Sequence, residues 1–436
     1  MYIKLFLIEK NIINIIGCIF FMGYSSVKQK LLDRVEKDRD ELIHFLRGFI
    51  RTRSPNPPGD TKEAAVYVTK YFDAKGISYE IAGPDPDKPN IVSIFKTKNQ
   101  GKSLILNGHM DVFPVRSENG WKNSPWGGEV IDGRIFGRGA CDMKAGTSVL
   151  IYTYTVLHEL MDELNGSLVL TVVSDEETGG RLGAGWILEN ISEVIGDCCI
   201  NAEPSSPYTI RFGEKGILWL KINVRSKGGH GAYPHLSENP VKIAAKIVTE
   251  LEELNEINIY YPENLRRAID EGKEEAEMAL GKGGSKVMRR ISVNIGKIEG
   301  GVKVNVIPQE CIFEVDLRLP PGVSKEKVMK RVREILRSYP GASVEEIRYD
   351  DPLWSPPDGE MVKIFRENSR ILGIDPKPII SLGGSDLKFW RKLGIPSYYY
   401  GPTNNGMGTV DEYVEVEELI HIAKVHLLSA YDYLSK

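Results

Sequence analysis

The stretch "LILNGHMDVFPV", residues 104–115, decides how the chain reads. It begins as an apolar run with no polar alternation, the pattern of a strand buried on both faces of its sheet. A glycine then leads to His109, with Asp111 two residues on. In extended backbone, residues i and i+2 point to one side. Asp111 is therefore placed to accept one ring N–H of His109 while the other ring nitrogen holds a metal. A lone histidine in a loop is more often a simple hydrogen-bonding residue, so its company decides.

Outward from this stretch, further apolar runs occur at 90–95 ("NIVSIF"), 167–174 ("SLVLTVVS") and 197–201 ("DCCIN"), with helical patterns near 61–75, 143–160 and 181–190. Unalternated strands separated by helices predict an α/β fold, a mostly parallel sheet flanked by helices. After residue 211 the character changes. "GILWLKINVRS" and "ECIFEVDLRL" alternate as one-sided strands do, and helices are expected near 239–254 and 324–338. The α/β pattern returns at about 351 and ends in "VEVEELIHIAKVHLLSAYDYL". The expected organisation is a catalytic domain in two parts, 23–211 and 351–436, with an α+β module inserted at 212–350.

A chain of 436 residues exceeds a usual single core. Its 42% apolar and 27% charged residues are those of an ordinary globular protein. A net charge of −4 leaves no basic excess for nucleic acid. The five cysteines are odd in number and include an adjacent pair, which is no disulfide framework and suits a reducing cytoplasm. "IINIIGCIFFMG" (12–23) falls short of the about 20 apolar residues that span a bilayer, so no membrane partner is expected. Residues 1–22 read either as a signal-peptide core or as an extension ahead of a start at Met22. The second is preferred, because an amphipathic helix begins cleanly after it.

Three more strand ends carry acids. Asp142 lies in "GRIFGRGACDMKAG", ahead of a helix that it would equally suit as an N-cap. "SDEETGG" holds adjacent Glu176 and Glu177, which must point in different directions. One can bind a metal while the other acts as a general base; an acidic run favoured by the helix dipole is the alternative. "NAEPSS" sets Glu203 at a fourth strand end. Each signal is weak alone, but four in order, each at the end of a strand, are not.

The stretch "GHMDVFPV…W…PW…DGRIFGRGACDMKAG", with "DEETGG" and "EPSS", resembles the zinc metallohydrolase family of succinyl-diaminopimelate desuccinylase, acetylornithine deacetylase, aminoacylase and glutamate carboxypeptidase. The resemblance runs from about residue 40 to the C-terminus. It implies a zinc-peptidase-like fold with an inserted lid and dimerisation domain, a two-metal site, and hydrolysis of an N-acyl amino acid or small peptide. His109 and Glu203 would bind one metal, Glu177 the other, and Asp142 would bridge them. Asp111 would orient His109, and Glu176 would be the general base. Without thiolate ligands, Zn²⁺ comes first and Co²⁺ or Mn²⁺ could substitute. "SKGGHGAYPHLSENP" resembles the family's lid motif, in which His230 reaches the neighbouring subunit's substrate, so a homodimer is implied. Asn305, Arg318, Gly383, Gly384 and Asp386 match positions that grip a substrate carboxylate in relatives.

One departure stands out. Relatives place a histidine shortly before an Asn/Asp-Glu pair near the C-terminus, and here "YGPTNNGMGTVDEYVEV" puts Gly408 there. The implied content is one tight metal, with a second weak, absent, or completed by water, Asn404 or Asn405. His421 and His426 lie on the final helix and read as structural or exposed. The departure keeps open a non-catalytic relative that binds a ligand or partner, although Glu176 is retained. A nucleotide-binding protein fails for want of a complete glycine-rich loop.

Overall fold

The computed structural model describes residues 26–435. The segment 1–22 and Cys18 lie outside them. Among the described residues, no helix is long and apolar enough to cross a membrane.

The larger body is an α/β layer structure built on a nine-stranded, mostly parallel sheet. At its centre the strand Ser103–His109 runs parallel to Ser167–Val173 on one side and to Cys198–Asn201 on the other. Antiparallel strands, Glu80–Ala82 with Asn90–Lys96 and the short Leu353–Trp354, close the edges. Alternate side chains of the central strands feed two cores. Leu104, Leu106 and Leu170 pack with the helices Lys144–Glu159 and Val416–Leu434. Ile105, Val169 and Val173 pack with the helices Ala184–Asn190 and Leu387–Lys392. Burial on both faces is why these strands lack polar alternation.

A second, four-stranded antiparallel sheet is ordered Ser292–Gly300, Glu310–Leu319, Gly216–Arg225, Ala342–Asp350. Strand Glu310–Leu319 alternates strictly between buried and partly exposed residues. Its buried side packs beneath the helices Pro240–Leu251 and Lys325–Leu336, forming a core of its own. The other side carries Trp219, Arg318 and Arg348.

The three helices between 263 and 288 belong in sequence to the inserted stretch, yet they pack elsewhere. Leu265, Ala268, Ile269, Ala276 and Met288 are buried in the core of the larger body. Lys215 fixes the crossing point. Its buried ammonium donates to the carbonyls of Val287 (3.1 Å) and Arg290 (2.8 Å) and to Ser292 Oγ (3.0 Å).

Candidate metal centre and active-site cleft

His109 ends its strand fully buried. Its Nδ1 lies 2.8 Å from the main-chain carbonyl of Asp111 and 3.5 Å from that residue's carboxylate. The main-chain carbonyl is thus the nearer acceptor. Sheet pairing ends when Met110 N–H donates to Val173, and Ser54 then holds the Met110 carbonyl. The Asp111 carboxylate has other work: it accepts the N–H groups of Glu176 (3.3 Å) and Glu177 (3.1 Å) and the Asn56 amide (2.8 Å). These contacts fix the turn that presents the glutamate pair.

His109 Nε2 faces Asp142 Oδ1 and Glu203 Oε1, each at 3.4 Å. The donor atoms of the three residues all lie within 4.8 Å of one another. Two ligands held tetrahedrally at zinc distances would stand about 3.3 Å apart. Close packing brings them together: a Cβ on Gly146 would stand 2.1 Å from the Ala202 carbonyl oxygen, so glycine lets the helix behind Asp142 press against the segment that carries Glu203. The Asp142 amide is held in turn by Glu412, whose carboxylate accepts the N–H of Cys141 (3.0 Å) and of Asp142 (3.2 Å). Glu412 also forms a buried ion pair with Arg138.

The electrostatics call for a cation. Burial raises the Glu176 carboxyl to about 7. Burial and the Asp142 charge raise Glu203 to about 8. Glu177 is driven well above the usual carboxylate range by burial and by the charges of Asp142 and Glu176. His109 is raised despite its burial, because Glu203, Asp111 and Asp142 surround it. His109 Nε2 and Glu177 Oε1 are buried without a hydrogen-bond partner. An excess of buried carboxylates around one imidazole, with such orphaned atoms, fits a bound divalent ion. Cys141 does not join the set: burial and its acidic neighbours keep the thiol protonated, so it packs.

Asp142, Glu176, Glu177 and Glu203 line a cleft of about 810 Å³ that opens between the two bodies. Gly383, Gly384 and Arg318 line it as well. Arg318 is already engaged by Asp316 at 2.8–3.1 Å. Asp386 is buried beside the Glu176 turn, and neither of its oxygens has a partner. His230 and Asn305 are not among the lining residues. They are exposed at a two-stranded ribbon that pairs Gly229–His230 with Val306–Ile307, where Gly231 N–H donates to the Asn305 carbonyl, beside a second hollow of about 670 Å³. His421 and His426 are satisfied structurally, by the Tyr400 hydroxyl (2.8 Å) and the Tyr400 carbonyl (2.6 Å); neither is exposed.

Several cleft residues carry no sequence signal used above. Arg211 is buried with Nε and Nη1 unpartnered, and buried Lys388 also faces the cleft. Phe113, Arg348 and Met278–Gly281 complete the wall. An arginine on a buried strand and a lysine on a buried helix face, where such residues are rare, are the signals that would have found the first two.

Comparison with known proteins agrees with this geometry. Succinyl-diaminopimelate desuccinylase of Xanthomonas campestris pv. campestris (strain 8004) is 29% identical over 327 residues, covering 72% of this chain and 80% of that protein. The M20 family metallo-carboxypeptidase Sso-CP2 from Sulfolobus solfataricus superposes with a TM-score of 0.74 at 21% identity, over 90% of this chain and 100% of its own. The YXEP protein of Bacillus subtilis, described as a dinuclear metal-binding peptidase of the M20 family, gives 0.65 at 16% identity, over 92% and 99%. The family model for peptidase family M20/M25/M40 matches residues 105–431, and the chain belongs to that family.

Proposed function

We propose that this metal-dependent amide-bond hydrolase cleaves an N-acyl amino acid of the desuccinylase or deacetylase type, or a small peptide, with Glu176 as the general base. The observation that carries the reading is the pairing of the His109–Asp142–Glu203 donor set with a glutamate turn fixed by Asp111. A bound cation would polarise the scissile carbonyl and make an attacking water more acidic. Zinc is the first choice for one imidazole with carboxylates and no thiolate, with cobalt or manganese as substitutes. Glu176 takes the proton of the attacking water and returns it to the departing amine. Glu176 lines the cleft together with the donor set, where that transfer would take place. Arg318, Gly383 and Gly384 would hold the substrate's carboxylate.

His230 and Asn305 would act on a second copy of the chain, in a homodimer formed through the inserted body. Support comes from their exposure away from their own cleft, and from Val302 and Val304 just before Asn305, 91% and 102% exposed. A cytoplasmic location is supported by the four described cysteines, all buried free thiols. The test is hydrolysis of a panel of N-acetyl, N-succinyl and dipeptide substrates with Zn²⁺, Co²⁺ or Mn²⁺ added. Glu176→Gln should lower turnover by ~100-fold or more, with bound metal unchanged. Full activity in that variant would remove Glu176 from the role, and loss of metal would make it a ligand.

A further inference from the structure

The second cation position expected from the family pattern does not fit this chain. Among the described residues only His109, Asp142 and Glu203 gather three metal-capable side chains. Glu177 lines the same cleft as Asp142, with a buried oxygen that has no partner, and among the described residues no third metal-capable side chain gathers with the two. Gly408, where relatives carry a histidine, sits in left-handed backbone at φ +72°. The turn is held there. Thr409 N–H donates to the Gly406 carbonyl at 2.9 Å, and Arg138 donates to the Thr409 carbonyl at 3.0 Å. Asn404 is engaged too, accepting the Met407 N–H at 3.3 Å.

The space beside Gly408 admits a first side-chain atom. The first atom of any side chain there would stand 3.7–3.9 Å from three atoms of the Phe113 ring. Phe113 and Met407 line the cleft together with Asp142 and Glu177. Histidine is among the non-glycine residues that enter left-handed backbone most readily. A β-carbon would meet the ring only at ordinary contact distance, so what the position lacks is the donor itself.

We propose that this chain holds one tight cation, at His109, Asp142 and Glu203, because Gly408 supplies no third donor beside Asp142 and Glu177. The inference does not depend on which amide is cleaved. It is read by metal content, whereas the proposed function is read by hydrolysis, so either can fail alone.

The experiment loads the purified chain with excess Zn²⁺, dialyses it, and counts zinc by elemental analysis and native mass spectrometry. The expected result is one ion per chain in the unmodified protein and two in Gly408→His. Circular dichroism and the thermal midpoint confirm that each variant is folded. Phe113→Ala alone, which keeps the native backbone at 408, should stay at one. Two ions in the unmodified chain would overturn the proposal. Only one ion in a folded Gly408→His would overturn the part assigned to the missing donor.

Discussion

Removal of Glu412 tests how the acid at Asp142 is held. Glu412 is fully buried and Arg138 is 3% exposed, and each is the other's counter-charge. The same carboxylate accepts the N–H groups of Cys141 and Asp142. Glu412→Ala would strand a buried guanidinium, a loss of about 3–5 kcal/mol for one partner of a buried pair. Two amide groups would also lose their acceptor, at about 1–3 kcal/mol each where water cannot reach them. These effects overlap, so the upper part of the first range is expected rather than their sum. Arg138→Met/Glu412→Gln should recover part of the loss, because no unpaired charge remains and the amide oxygen still accepts. Urea unfolding reads the stability, and competition with a chelator reads zinc affinity. Zinc affinity should fall ~10–100-fold, as when a ligand's supporting partner is removed. A cost below about 1 kcal/mol, the scale of a neutral surface change, together with unchanged zinc affinity, would refute the reasoning.

Two further outcomes follow from the inserted body. Burial holds the Lys215 ammonium down at about 7, whereas an unfolded lysine titrates near 10.4. Between these values the unfolded state binds the extra proton, so stability rises with pH, by at most about 1.4 kcal/mol per unit. The stability advantage of wild type over Lys215→Met should widen from pH 7 to 10 in urea titrations; a flat difference would mean that the lysine is not held neutral. Val304→Asp, next to Asn305, should shift the protein from dimer to monomer in light scattering and lower turnover with it. A fully active monomer would sink the role given to His230.

The layers of the fold were legible because their cause is local. A strand with Leu104 and Leu106 in one core and Ile105 in another must be apolar throughout, and that is visible in seven residues. The strict alternation of Glu310–Leu319 likewise follows from having one buried side. Leu265 and Ile269 show that some helix face is buried but not against which body. The sequence position of the helices between 263 and 288 suggested one core, and they joined the other.

The donors that end strands were readable for a related reason. A parallel sheet delivers its strand ends to one edge, so His109 and Glu203 meet without any long-range signal. Asp111 was less simple. The i, i+2 rule needs backbone that stays extended, and here the chain leaves the sheet at Met110. The nearer partner of His109 is consequently a carbonyl, and the carboxylate is free to fix the turn of Glu176 and Glu177. Contacts that bridge distant segments left no local pattern at all. Arg138 and Glu412 are 274 positions apart, and the Phe113 ring meets a glycine still farther away along the chain. Such pairs connect a ligand to a loop that has no periodicity of its own. A motif can therefore name the atoms that gather as candidate donors, while the number of cations they suit depends on what a distant loop adds beside them.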